Sequence, residues 1–211
     1  TLRGGFRLGI CGTTVIRDGK SSTIRDFSSL ALRIVCEHIG IAEKIIPQLF
    51  KGEQFQSTLI LSPPGGGKTT LLRDTVRTLS LGSREHAALR MAVVDERGEI
   101  AVSSLGIPQM DLGPHTDVLD GCPKSWGIFM LLRSMNPQVI AVDEITVEED
   151  ITAMLQAANC GVALLATIHA ASLEELQQKA LYPSLKASGV FSQVIEIINA
   201  EGHRKYQVRP L

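Results

Sequence analysis

The residues best suited to chemistry lie in four short stretches, and the first is "LILSPPGGGKTT" at 59–70. Three consecutive glycines, Gly65, Gly66 and Gly67, allow a backbone to curl so that successive N–H groups face one anion. Lys68 follows with a flexible ammonium that would reach the β- and γ-phosphates, and the Thr69 hydroxyl would ligate Mg²⁺. Pro64 and Thr70 complete the segment that would wrap the phosphates. The usual G-x-x-x-x-G-K-[ST] pattern has glycine where this chain has Ser62, at the strand exit. The alternative reading is a glycine-rich turn that happens to precede a lysine.

The second stretch is "PQVIAVDEI" at 137–145. Its apolar run delivers Asp143 to a strand end, where a carboxylate would hold Mg²⁺ directly or through water. Glu144 would polarise an attacking water as general base. The third, "MAVVDERGEI", ends in Asp95, Glu96 and Glu99. These carboxylates either position water or Mg²⁺ beside a γ-phosphate or are solvated loop charges paired with Arg97. The fourth, "VALLATIHA", ends in His169. A lone histidine is more often structural, but this one falls at a strand end where an imidazole would sense the γ-phosphate.

These residues need a scaffold that gathers strand ends along one edge. From residue 57 onward, short apolar strands ("STLIL", "MAVVD", "VIAVD", "VALLATI") alternate with helical segments at 69–81 and 148–159. That alternation predicts an α/β fold: a mostly parallel central sheet with helices on both faces. The tail, "SQVIEIINAEGHRKYQVRPL", predicts two strands joined around Glu201 and Gly202, a hairpin at the sheet edge. Residues 1–27 predict a short β region turning at "RDGK", 17–20. "SSLALRIVCEHIG" predicts a helix opened by Ser28 or Ser29 and closed by Gly40, with a second helix over 41–50. The organisation expected is a partial N-terminal segment over 1–50 and a phosphate-loop α/β core over 51–211.

Bulk properties narrow the classes. The 211 residues fit one ordinary domain, or one with a small appendage, and the apolar runs are too short to span a bilayer. A formal net charge of −1 with 4% aromatic residues supplies neither the basic groove nor the stacking platforms of a motor on nucleic acid. Cys11, Cys36, Cys122 and Cys160 are scattered without a C-x-x-C pair, which reads as reduced cytosolic thiols. The chain opens "TLRGGF", without methionine or a signal peptide, and is expected to be a fragment lacking an N-terminal part.

Taken together, "SPPGGGKTT", "VVDERGEIA", "TDVLDGCPKSWGIFMLLRSMNPQVIAVDEI" and "ATIHA" resemble the stage III sporulation protein AA family. The likeness extends through "RGGFRLGICG", "TIRDFSSLALRI" and "GVFSQVIEI", so it covers nearly the whole chain. That family is related to the type II and type IV secretion ATPases. The resemblance implies a P-loop NTPase of the RecA-like type, with ATP and Mg²⁺ as cofactors and adenine near the region before residue 57. It places Asp143 and Glu144 in the Walker B position, Glu96 and Glu99 in the acidic box, and His169 in the histidine box. Arg25, and less so Arg7, match the region from which relatives bring arginines to the nucleotide. It further implies a homo-oligomeric ring, possibly a hexamer, that is cytoplasmic and peripheral to a membrane channel of the sporulation complex on the mother-cell side. No nucleic acid and no direct membrane insertion are expected. The two functions expected are an ATP-hydrolysing motor and a nucleotide-binding scaffold with negligible turnover.

Overall fold

The computed structural model describes residues 7–33, 36–200 and 203–211. Its centre is a seven-stranded sheet made of β5 (Thr58–Ser62), β6 (Met91–Asp95), β7 (Thr116–Asp120), β8 (Val139–Val142), β9 (Ala163–His169), β10 (Gln193–Ala200) and β11 (His203–Pro210). The spatial order is β11-β10-β5-β9-β8-β6-β7. All neighbours are parallel except β10 and β11. Every residue of β5, β6 and β8 is buried. Their continuous apolar character follows from cover on both faces.

Strand alternation divides the core into two layers. Ile60, Val93, Ala141 and Leu165 face α1 (Lys68–Leu81), whose Leu71, Leu72 and Val76 are fully buried there. Leu61, Val94, Val142 and Ala166 face α2 (Lys124–Ser134) and α3 (Glu148–Asn159). Two short helices, α4 (Leu173–Gln177) and α5 (Tyr182–Ser188), lead from β9 to β10 on that second side. The helices over 69–81 and 148–159 and the four strands expected from the sequence all form. The tail also forms as expected, although its turn at 201–202 lies outside the described residues.

The N-terminal expectation needs correction. β1 (Arg7–Arg17) and β2 (Lys20–Arg33) make a long hairpin, so the stretch opening at Ser28 continues as strand rather than beginning a helix. Its period is two: Leu30 lies opposite Ile10 and Leu32 opposite Leu8, while Ser29 and Ala31 take the alternate positions. Cross-strand apolar pairs of this kind stabilise a ladder more than local helix propensity opposes it. Residues 34–35 lie outside the described residues. The helix expected over 41–50 shrinks to a 3₁₀ turn, Ile46–Leu49, with Pro47 in its first turn. Proline has no N–H to donate and pushes the preceding residue away from the α region. The short strands β3 (Phe50–Lys51) and β4 (Gln54–Phe55) then lead into the sheet.

Candidate functional site

The carboxyl ends of β5, β8 and β9 open into a cleft of about 320 Å³. Gly65, Gly67, Lys68, Thr69 and Thr70 line one wall; Glu99, Asp143, Glu144, His169 and Arg204 complete it. This is the edge at which ligands bind in open α/β sheets. A larger cavity of about 660 Å³ opens at the opposite edge, around Arg90, Gln138 and Cys160, and contains none of the residues expected to do chemistry.

The loop leaves β5 at Ser62, which is fully buried. A side chain on Gly66 would place its first carbon 1.6 Å from Ser62 Oγ, so the serine fills the space beneath the loop and demands glycine above it. Gly67 caps α1 at φ 101, a left-handed conformation that favours glycine. No side chain caps the helix and no acid lies in its first turn. Its leading N–H groups, which lack intrahelical partners, are therefore left to an anion.

Lys68 lies inside this loop. Its ammonium donates to the Ser62 carbonyl at 3.0 Å and the Pro63 carbonyl at 3.3 Å, and it contacts His169 Nδ1 at 2.6 Å. Burial pushes it below the ordinary lysine value, against the pull of the Glu144 and Asp143 carboxylates. Ser62 and His169 are opposed in the β5–β9 ladder, which explains why a lysine six residues along reaches the histidine. His169 Nε2 stands 3.0 Å from Glu144 Oε1. With the ammonium donating to Nδ1, the ring proton sits on Nε2 and is donated to Glu144. Lys68, His169 and Glu144 thus form one continuous hydrogen-bonded chain.

Asp143 accepts from the Thr167 hydroxyl at 2.9 Å and from the Glu144 amide at 3.0 Å, and Thr69 Oγ1 lies 3.5 Å from its other oxygen. Two hard oxygen donors converging beside a phosphate loop fit the protein share of a Mg²⁺ shell, the remainder being water and phosphate oxygens. Among the described residues no three His, Cys, Asp or Glu side chains gather as a metal cluster. A cation here would accordingly rely on oxygens brought by a ligand.

The "DERGE" carboxylates separate. Asp95 is buried and accepts from the amides of Glu99, Ile100 and Ala101 at 2.8 to 3.1 Å. Desolvation pushes its carboxyl above the ordinary aspartate range while those amides pull it back, and the group acts as a cap on the 96–101 loop. Glu96 pairs with buried Lys124 and does not line the cleft. Glu99 does line it. The loop is held from below by Arg73, which donates to the carbonyls of Glu99 and Ile100. Arg97 reaches 3.4 Å from Glu144 Oε2. Arg25 sits on the exposed part of β2 beside Asp26 at 3.4 Å and does not line the cleft, and the side chain of Arg7 is outside the described part. Sequence reasoning passed over Thr167 and Arg204, and it paired Arg97 with its neighbouring carboxylates where the structure sets it beside Glu144. For Thr167 and Arg204, the strand alternation of "ATIHA" and "HRKYQV" carried a usable signal.

Comparison with known proteins bears on the family and the fold. The family described as "Sporulation stage III, protein AA" matches residues 1–208. Stage III sporulation protein AA of Bacillus subtilis is 40% identical over 202 residues, covering 96% of this chain and 66% of that protein. The ATPase DotB of Legionella pneumophila superposes with a TM-score of 0.63 at 17% identity, over 96% of this chain and 56% of that one. The pilus retraction motor PilT with bound ADP superposes with a TM-score of 0.62 at 16% identity, over 98% of this chain and 64% of that one. The chain therefore spans somewhat under two thirds of these relatives, and the fold it shares is that of the secretion and motor ATPases.

Proposed function

The chain belongs to the sporulation stage III protein AA family, and on that premise we propose that it is an Mg²⁺-dependent ATPase whose nucleotide cycle drives conformational change in an oligomeric ring. The observation that carries the reading is the Lys68–His169–Glu144 chain beside an uncapped helix N-terminus. A phosphate group arriving at the loop competes with His169 for the Lys68 ammonium. The histidine loses its strongest donor at that moment, and its hold on Glu144 changes with it. Occupancy of the loop is in this way transmitted to the group that orients water.

In this reading residues 64–70 wrap the phosphates, with amides from Gly65, Gly66 and Gly67 and the charge of Lys68. Thr69 and Asp143 would hold Mg²⁺, which supplies charge neutralisation when bound. Glu144 accepts the proton of the attacking water, and Glu99 stands at the same wall. ATP as the nucleotide, a ring as the assembly and a sporulation membrane complex as the setting are supported by the family and by the fold of the secretion ATPases. No helix among the described residues is long and apolar enough to cross a membrane.

The test is phosphate release from Mg·ATP measured across protein concentration, with Lys68→Ala alongside. The motor reading expects turnover that rises as subunits associate and nucleotide binding that is lost in Lys68→Ala. Nucleotide binding without release above background would replace the motor by an assembly scaffold.

A further inference from the structure

The tail hairpin lays an arginine against the phosphate loop. β10 joins β5 in parallel with Glu196 opposite Leu61, and β11 returns antiparallel with Gln207 opposite the same Glu196. Arg204 therefore stands three positions past the level of Leu61, beside the loop that leaves Ser62. Alternation puts Arg204 on one face with Tyr206 and Val208, which pack into the α1-side core. Arg209 faces the other way and is engaged by Glu196 at 3.1 Å and Glu174 at 3.5 Å. The Arg204 guanidinium approaches so closely that its carbon and one terminal nitrogen lie 3.0 Å from where a side chain on Gly67 would begin.

This placement sets like charges side by side. The N-terminus of a helix carries partial positive charge and favours anions, not cations. α1 has no acid in its first turn, Lys68 is already there, and no hydrogen bond or ion pair joins the Arg204 side chain to any described residue. A guanidinium on an exposed strand position, anchored by half-buried Tyr206 and Val208 on the same face and set against a helix N-terminus, is a well-placed partner for a polyanion between the two. The geometry points to Arg204 as a phosphate-binding residue supplied in cis, which clasps the nucleotide's phosphate chain from outside the loop while Lys68 holds it from within. The assignment rests on the nucleotide reading of the cleft. It also ties the tail hairpin to nucleotide occupancy, because the arginine rides on β11.

The experiment is titration with a fluorescent ADP in Mg²⁺, with inorganic pyrophosphate as competitor. Arg204→Ala is expected to weaken both ligands by about 10- to 100-fold, the loss of a charge-assisted contact. Arg204→Lys should recover part of this, and Lys205→Ala, on the opposite face, should bind as wild type. The salt dependence of binding should also be shallower in Arg204→Ala. Wild-type affinity in Arg204→Ala overturns the assignment and leaves the nucleotide site standing. A wild type that binds neither ligand overturns the site and Arg204 with it. Mixing Lys68→Ala with Arg204→Ala distinguishes cis from trans: no recovery of full-affinity sites is expected, and recovery would overturn supply in cis.

Discussion

Two neighbouring strands of this protein end on the same three residues and put them to opposite uses. Val94-Asp95-Glu96 closes β6 and Val142-Asp143-Glu144 closes β8, with Val94 and Val142 opposite each other in the ladder. Asp95 has both oxygens committed to three backbone amides and is 1% exposed. Asp143 accepts from one threonine hydroxyl and one amide and keeps a second oxygen facing Thr69. The following glutamates diverge in the same way. Glu96 is paired with a lysine of α2, whereas Glu144 faces His169 across an open cleft. What separates a closed from an open carboxylate here is not type, strand position or sequence context. It is whether the loop after the strand folds back over the lone pairs.

Exchanging single atoms in the two motifs should expose that difference most sharply in turnover. Glu144→Gln is expected to reduce phosphate release by about 10²- to 10⁴-fold, the usual contribution of a general base, with nucleotide binding retained. Glu96→Gln should stay within about threefold of wild type, as substitutions outside a working site do. Equal losses in the two variants would erase the distinction.

Stability should reverse the ranking. Asp95→Ala strands three amides, two of them buried, and is expected to cost about 2–4 kcal/mol in urea denaturation. Asp143→Ala removes the acceptor of one hydroxyl and one amide, both only part-buried, and should cost about 1 kcal/mol, less than Asp95→Ala, while abolishing the Mg²⁺ dependence of nucleotide binding. An Asp95→Ala protein as stable as wild type would show that the 96–101 loop does not depend on its cap.

The smallest effect concerns pH. Burial holds the Lys68 ammonium below its ordinary value, and a bound phosphate favours the charged form and draws it back up. Between the lowered and restored values, binding takes up a proton. Nucleotide affinity should therefore weaken as pH rises through the alkaline range below the ordinary lysine value. Calorimetry in two buffers of different ionisation enthalpy checks this, and a binding heat independent of buffer at alkaline pH would contradict it. Asp95, already closed, offers no comparable ligand-linked titration.

Much of this was legible in the chain before its fold was known. The four buried strands and α1 announce themselves because apolar runs bounded by glycine and acidic residues leave few alternatives. Lys68, Thr69, Asp143, Glu144 and His169 converge because all but Thr69 and Lys68 terminate strands of one parallel sheet, and those two open the helix after another. β7 and α2 were harder to read. β7 is a charged edge strand, "TDVLD", with no apolar run, and α2 carries Gly127 in its middle. That glycine weakens the helical signal for a reason visible only in three dimensions: a side chain there would stand 2.5 Å from Val94. The stretch from Ser28 reads as helix because Ser28, Ser29 and Gly40 look like caps, whereas leucines at 30 and 32 already carry the period of two that the partner strand uses. The separate roles of Asp95 and Asp143 lay wholly in loop geometry, beyond the reach of sequence pattern.

The Ser62–Gly66 contact has a consequence for how this loop can change over time. Because the serine hydroxyl occupies the volume a side chain at 66 would need, the two positions form a single unit of inheritance. A substitution at 66 is barred in the present background, and a glycine at 62 would remove the hardest contact, leaving the Pro63 carbonyl at 3.1 Å. The order in which the two changes arrive therefore decides whether the lineage passes through a folded loop. The departure of Ser62 from the usual phosphate-loop pattern is thus an epistatic lock on Gly66, the middle of the three glycines.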